Sequence, residues 1–168
     1  ALSRLGTALK TTSCERSFPT LRGHPPEIEL GEELSIPPGI GRPETGVMIE
    51  VPPDYEAIFA VAPLAFYLGA AIVPGETPQI VTATEWTHSL DPAARSLEAE
   101  VERVLKQVFL LDSLARTEGI YAVELEERQQ LETLTDLDFA ALYDEPLCVR
   151  LRRMLAIPYE LVEPFVPT

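Results

Sequence analysis

Between Leu97 and Ala115 six apolar side chains, Leu97, Val101, Val104, Val108, Leu111 and Ala115, recur at intervals of 4, 3, 4, 3 and 4. No other pattern in the 168 residues narrows the fold so far. Alternation of three and four stacks side chains along one side of an α-helix. Asp91 as N-cap, Pro92 at the first helical position and Gly119 as the stop predict one long helix over about 92–118. Glu102 and Lys106 attract each other one turn apart on it. Leu105, Phe109 and Leu110 lie outside the seam and widen it. A helix with one neighbour does not need that width, so the pattern predicts burial along two flanks. Should Leu105 and Phe109 prove exposed, they become the docking surface, because large apolar patches seldom stay bare.

Proline shapes what precedes this helix. Half of the 16 prolines fall within the first 53 residues, with Pro-Pro pairs at 25–26, 37–38 and 52–53. Lacking an amide donor, such pairs bracket short extended pieces: Glu27–Leu30, Glu33–Ile36 and Val47–Val51, the last with strand alternation. Ala57–Val61 reads as a strand or a short helix, after which Pro63 opens a helix that stops at Gly69. Ala71–Val73 and Gln79–Thr84 are expected strands around the Pro74–Gly75 turn, and Trp86–Leu90 extends the pairing. Beyond the long helix come a short strand at Ile120–Val123 and helices over Glu124–Leu134, Leu137–Tyr143 (capped by Asp136) and Pro146–Ala156. The expected class is α+β or mixed α/β, with short proline-bracketed strands in the first half and a helical C-terminal half. Residues 1–26 form an N-terminal helix (2–11) and basic arm, 27–158 one globular domain, and 159–168 an extended tail.

Charge limits the partners. The net charge is -14, from 27 acids against eleven arginines and two lysines. Residues 1–26 carry four basic side chains and one acid, a net of +3, which leaves -17 on the remainder. The arm is therefore complementary to the body, and nucleic acid is not an expected partner, because phosphate contacts need clustered positive charge. No apolar run reaches the ~20 residues that span a bilayer, so no membrane partner is expected. An acidic surface poor in lysine suits high salt, where self-repulsion is screened.

The candidate chemistry is thin. His88, Ser89 and Asp91 have the residue types of a hydrolase triad, but a triad converges from separate parts of a fold. Cys14 carries no nucleophile signature, and Cys148 reads as a small hydrophobe. Gly39-Ile-Gly41 runs into Arg42-Pro43, which forbids the helix start of a phosphate loop. Glu124, Glu126, Glu127, Asp136 and Asp138 sit at helix starts, where negative charge is favoured anyway. Arg150, Arg152 and Arg153 are the only basic cluster in the body. Arg150 and Arg153 share a helix face, beside a Leu147, Leu151, Leu155 core stripe, and are the candidate contact for an anion or an acidic partner. No catalytic residue, cofactor or metal ligand is assigned.

The strings VAPLAFYLGAAIVPG (61–75), VERVLKQVFLLD (101–112), RTEGIYAVEL (116–125) and ERSFPTLRGHPPEIELG (15–31) carry a resemblance. They are similar to a family of uncharacterised haloarchaeal proteins. The resemblance implies a longer protein with a CHAT-type, caspase-like region downstream, whose histidine and cysteine this upstream domain lacks. It brings no activity or cofactor, and it agrees with the salt-adapted composition.

The reading that follows is a non-catalytic interaction or regulatory domain of a larger halophilic, cytoplasmic protein. Its partners are flanking domains of the same protein or a second copy. The alternative is a partial or degenerate hydrolase or small-ligand-binding α/β unit with a pocket near Pro63–Gly69. Thermal unfolding from dilute to molar KCl tests the salt reading. The midpoint is expected to rise, and a flat or falling midpoint contradicts it.

Overall fold

The computed structural model describes residues 3–4, 29, 31–33, 35–91, 93–119 and 123–166. Strand β1 (Val47–Val51) follows its alternation: Val47, Ile49 and Val51 are buried and Met48 is exposed. Strand β2 (Ala71–Pro74) lies parallel to β1 on one side. Strand β3 (Gln79–Thr82) lies antiparallel on its other side, and β4 (Thr87–Ser89) is antiparallel to β3. The sheet order is β2-β1-β3-β4, with Ile49 held between Ile72 and Ile80.

The strands expected around Pro74–Gly75 are thus present, but β1 lies between them. The β2–β3 link crosses the end of β1, where Gly75 N–H donates to the Val51 carbonyl at 2.9 Å. A Cβ on Gly75 would lie 2.7 Å from Glu50 Cβ, so only glycine passes this close. Among the described residues of 27–36 there is no strand.

Helix α1 spans Tyr55–Leu68 without interruption, which corrects the expected division at Pro63. Asp54 caps it by accepting from Ala57 N–H at 2.9 Å, and Gly69 ends it in the left-handed region at φ 60°. An interior proline costs a helix about 3 kcal/mol. Here two caps and the burial of Val61, Leu64, Ala65 and Leu68 offset that cost, and Pro63 lies on the exposed side.

Helix α2 spans Leu97–Ala115 and continues as a 3-10 turn over Arg116–Glu118. Its start is five residues later than the capping signal at Asp91 and Pro92 predicts. Ser96 is the N-cap, accepting from Ala99 N–H, while Asp91 N–H donates to Ser89 Oγ in the turn beforehand. Val101, Val104, Val108 and Leu111 are buried, as the seam requires.

Four shorter helices follow: α3 (Glu126–Leu134), α4 (Phe139–Asp144), α5 (Leu147–Leu155) and α6 (Tyr159–Val162). Asp138, not Asp136, caps α4. The expected extended tail is instead α6 and a 3-10 turn over Glu163–Phe165, anchored by buried Val162. The α+β architecture stands, with the sheet in the first half, one long helix and a helical C-terminal half. Helix α1 packs along α2, and α2 packs on α5 and α4. Among the described residues no helix is long and apolar enough to cross a membrane.

The expected helix over 2–11, apart from Ser3 and Arg4, lies outside the described residues, as do most of the basic arm, Cys14 and Ile120–Ala122. Ser3 and Arg4 are helical and touch the body. Ser3 Oγ accepts from Ile72 N–H on β2, and Arg4 donates to the Ile40 carbonyl at 2.6 Å.

Candidate functional site

Helix α2 has two polar anchors that its apolar seam hides, and they decide which of its flanks remains open. Asp112 is buried where three helices meet. The Tyr67 hydroxyl on α1 donates to Asp112 Oδ2 at 3.0 Å, and Arg150 Nη1 on α5 lies 3.2 Å from Oδ1. Arg116 Nη1, one turn along α2, lies 3.7 Å from Oδ2. Gln107, also buried, donates through Nε2 to the Met154 and Ile157 carbonyls at 2.9 and 2.8 Å. It thereby gives a side-chain donor to one carbonyl in the last turn of α5 and one just beyond it.

A third polar group fixes the start of α2. Glu100 is buried between Arg95 and Arg103. Burial pushes its carboxyl up, but hydrogen bonds and charge from the two arginines outweigh this and hold it below the usual range. The Arg103 guanidinium lies 5.1 Å over the Tyr159 ring, which connects α2 to α6. His88 on β4 stacks on Trp86 with ring centroids 5.8 Å apart. Its imidazole is held below the ordinary value, by burial first and by the Arg103 charge second.

These contacts correct the expected arginine pair. Arg150 and Arg153 do not act on one surface: Arg150 is buried against Asp112 and offers no contact to an outside anion. Arg153 is exposed and lines an open cleft of about 470 Å³ with Asp136, Leu134, Leu137, Ile157 and Leu161. His88 and Ser89 are successive residues of β4, so their side chains point to opposite faces of the sheet, and Ser89 Oγ accepts from Asp91 N–H. Cys148 is a half-buried free thiol, its Sγ 3.7 Å from where a Cβ on Gly46 would stand.

The flank of α2 opposite Gln107 and Glu100, and next to Asp112, is apolar and open. Tyr55, Phe59 and Phe109 are 81%, 66% and 48% exposed. Tyr55 and Phe59 stack with centroids 6.2 Å apart and form a ridge at the start of α1. Further along, Pro63, Phe66 and Tyr67 face Leu105, Lys106 and Phe109 across a cleft of about 340 Å³. Tyr67 closes its floor against Phe109, ring centroids 5.7 Å apart. Among the described residues Lys106 is the one charged side chain on the walls, and its Nζ lies 2.8 Å from Glu102.

Leu105 and Phe109, singled out from the widened stripe, therefore lie in this cleft, Leu105 partly buried and Phe109 exposed. The ridge was missed. Its signal was available in the spacing of Tyr55, Phe59, Pro63 and Tyr67 at intervals of four, but the supposed helix break at Pro63 concealed it. Asp112, Gln107 and Glu100 have no local signal, because each is explained by partners elsewhere in the chain. No family model, curated protein or solved structure matches this chain.

Removing one member of a buried ion pair strands the other, at a cost of about 3–5 kcal/mol. Asp112→Ala is accordingly expected to unfold at a much lower denaturant midpoint. Asp112→Leu combined with Arg150→Met is expected to recover part of that loss. Additive losses in the double variant would show that the two residues do not act as a pair.

Proposed function

We propose that this chain is a non-catalytic interaction or regulatory domain of a larger halophilic, cytoplasmic protein, and that it docks its partner through the α1/α2 face. The partner is a protein surface, either a flanking domain of the same protein or a second copy. Neither nucleic acid nor membrane is part of this reading. The carrying observation is that three large aromatic side chains, Tyr55, Phe59 and Phe109, stand exposed on one face of a chain with net charge -14. Exposed apolar side chains are common singly. A contiguous ridge and cleft marks a binding surface.

Catalysis is less well supported at this place. An active site needs several convergent polar groups. The cleft near Pro63 offers Lys106, already paired with Glu102, while the Tyr67 hydroxyl is turned inward to Asp112.

A photo-crosslinking residue placed at position 59 in the cells that make the protein tests this reading. A discrete adduct with one polypeptide is expected, and none from the same probe at exposed Glu127 on α3. Equal labelling from the two positions, or none from position 59, contradicts it.

A further inference from the structure

We propose that the α1/α2 face pairs with a second copy of itself, antiparallel, about a two-fold axis that crosses both helices near Ala62 and Val104. This rests on the interaction reading above and names its partner.

The first observation is that the face carries its own knob and its own hole. The Tyr55–Phe59 ridge stands at one end of α1, and the cleft between Pro63, Phe66, Tyr67, Leu105 and Phe109 lies further along the same helix. The cleft is centred near the level of Ala65, six residues beyond Phe59, a distance of about 9 Å at the usual helical rise. A partner of unrelated shape needs only a hole or only a knob. A two-fold pairing needs the two of them, on one surface and offset along it, because each copy gives and receives the same group. The midpoint between Phe59 and the cleft falls at Ala62.

The charges are arranged about the same level. Tyr67 meets Phe109 and bonds Asp112, while Leu105 and Lys106, further back on α2, line the cleft with Pro63, four residues before Tyr67, so positions advance together along α1 and α2 and the helices run parallel. Ala62 is then level with about Val104. Among the described residues the ion pair at the cleft edge is Glu102–Lys106, its two members lying two positions to either side of Val104. Rotation about an axis across the helices at this level sets Glu102 of one copy opposite Lys106 of the other, twice. The pair is half exposed, so it is free to exchange partners.

The rest of the surface explains why pairing would occur here. Two copies of a -14 chain repel over most approaches, and α1 is a long helix with little charge to oppose them: Glu56 is the single ionised side chain among its 14 residues. Sequestering Phe59 in a partner's cleft removes the most costly exposed apolar surface on this face.

Sedimentation equilibrium of the whole chain in dilute and in molar KCl tests the proposal. A concentration-dependent monomer–dimer equilibrium is expected, stronger in molar KCl. Phe59→Glu, and independently Tyr55→Glu, should keep the parental circular dichroism and sediment as monomers. In dilute salt Glu102→Lys or Lys106→Glu alone should weaken the dimer about two- to tenfold, the range for exposed ion pairs. An equimolar mixture of these two variants should restore it. A monomer under every condition, a Phe59→Glu dimer of parental strength, or a mixture no tighter than its components overturns the proposal. A monomer that still gives a position-59 adduct with another polypeptide removes the self-pairing and leaves the interaction reading in place.

Discussion

A carboxylate buried among helices is tolerated only where other groups replace the water it has lost, and Asp112 is such a group. Its partners include Tyr67 on α1, Arg116 one turn along α2, and Arg150 on α5. Apolar packing alone permits helices to slide or rotate by a turn at modest cost. A desolvated charge does not, since a shift of α1 or α5 strands the carboxylate or the guanidinium. Asp112 therefore sets the axial positions of α1 and α5 on α2. Gln107, bonded to carbonyls at and just beyond the end of α5, adds a second fixed point between α2 and α5.

Fixing α2 in this way determines which of its flanks is left over. The seam from Val101 to Leu111 faces the interior, and Asp112 and Gln107 hold α1 and α5 against it. Phe109, between those two polar anchors in sequence, is turned outward, and the groove between α1 and α2 opens at Leu105 and Lys106. The exposed face is thus a consequence of how the core is locked. Its aromatic residues are additional to a core already closed by Ile49, Val61, Leu64, Val104, Val108, Leu111 and Leu151.

What could be read from the sequence follows from the range of the interactions involved. The seam of α2 and the alternation of β1 are periodic signals within one element, and the structure follows them. Boundaries depend on which of several competing signals wins. Asp91–Pro92 looked like a helix start, but the Ser96 hydroxyl caps the helix that forms. Asp136 and Asp138 are equally suited to a cap, and only Asp138 is placed to accept from Ala141 N–H. At Pro63 a local rule failed because burial of the surrounding helix outweighs one lost hydrogen bond. Leu105 and Phe109 were legible as an excess of apolar width. The true position of Arg150 was not, because its partner lies 38 residues earlier on another helix.

The central claim is that the α1/α2 face serves binding while Asp112 and the seam serve folding. The most direct measurement is the unfolding free energy of Phe59→Ser/Phe109→Ser by chemical denaturation, at a dilution where the chain is monomeric. Stability within about 1 kcal/mol of the parent is the expected result, because Phe59 stands mostly in water and Phe109 gives up only its half-buried contact with Tyr67. A loss of several kcal/mol, the size of a core substitution, would mean that the face is part of the fold and would contradict the separation of roles.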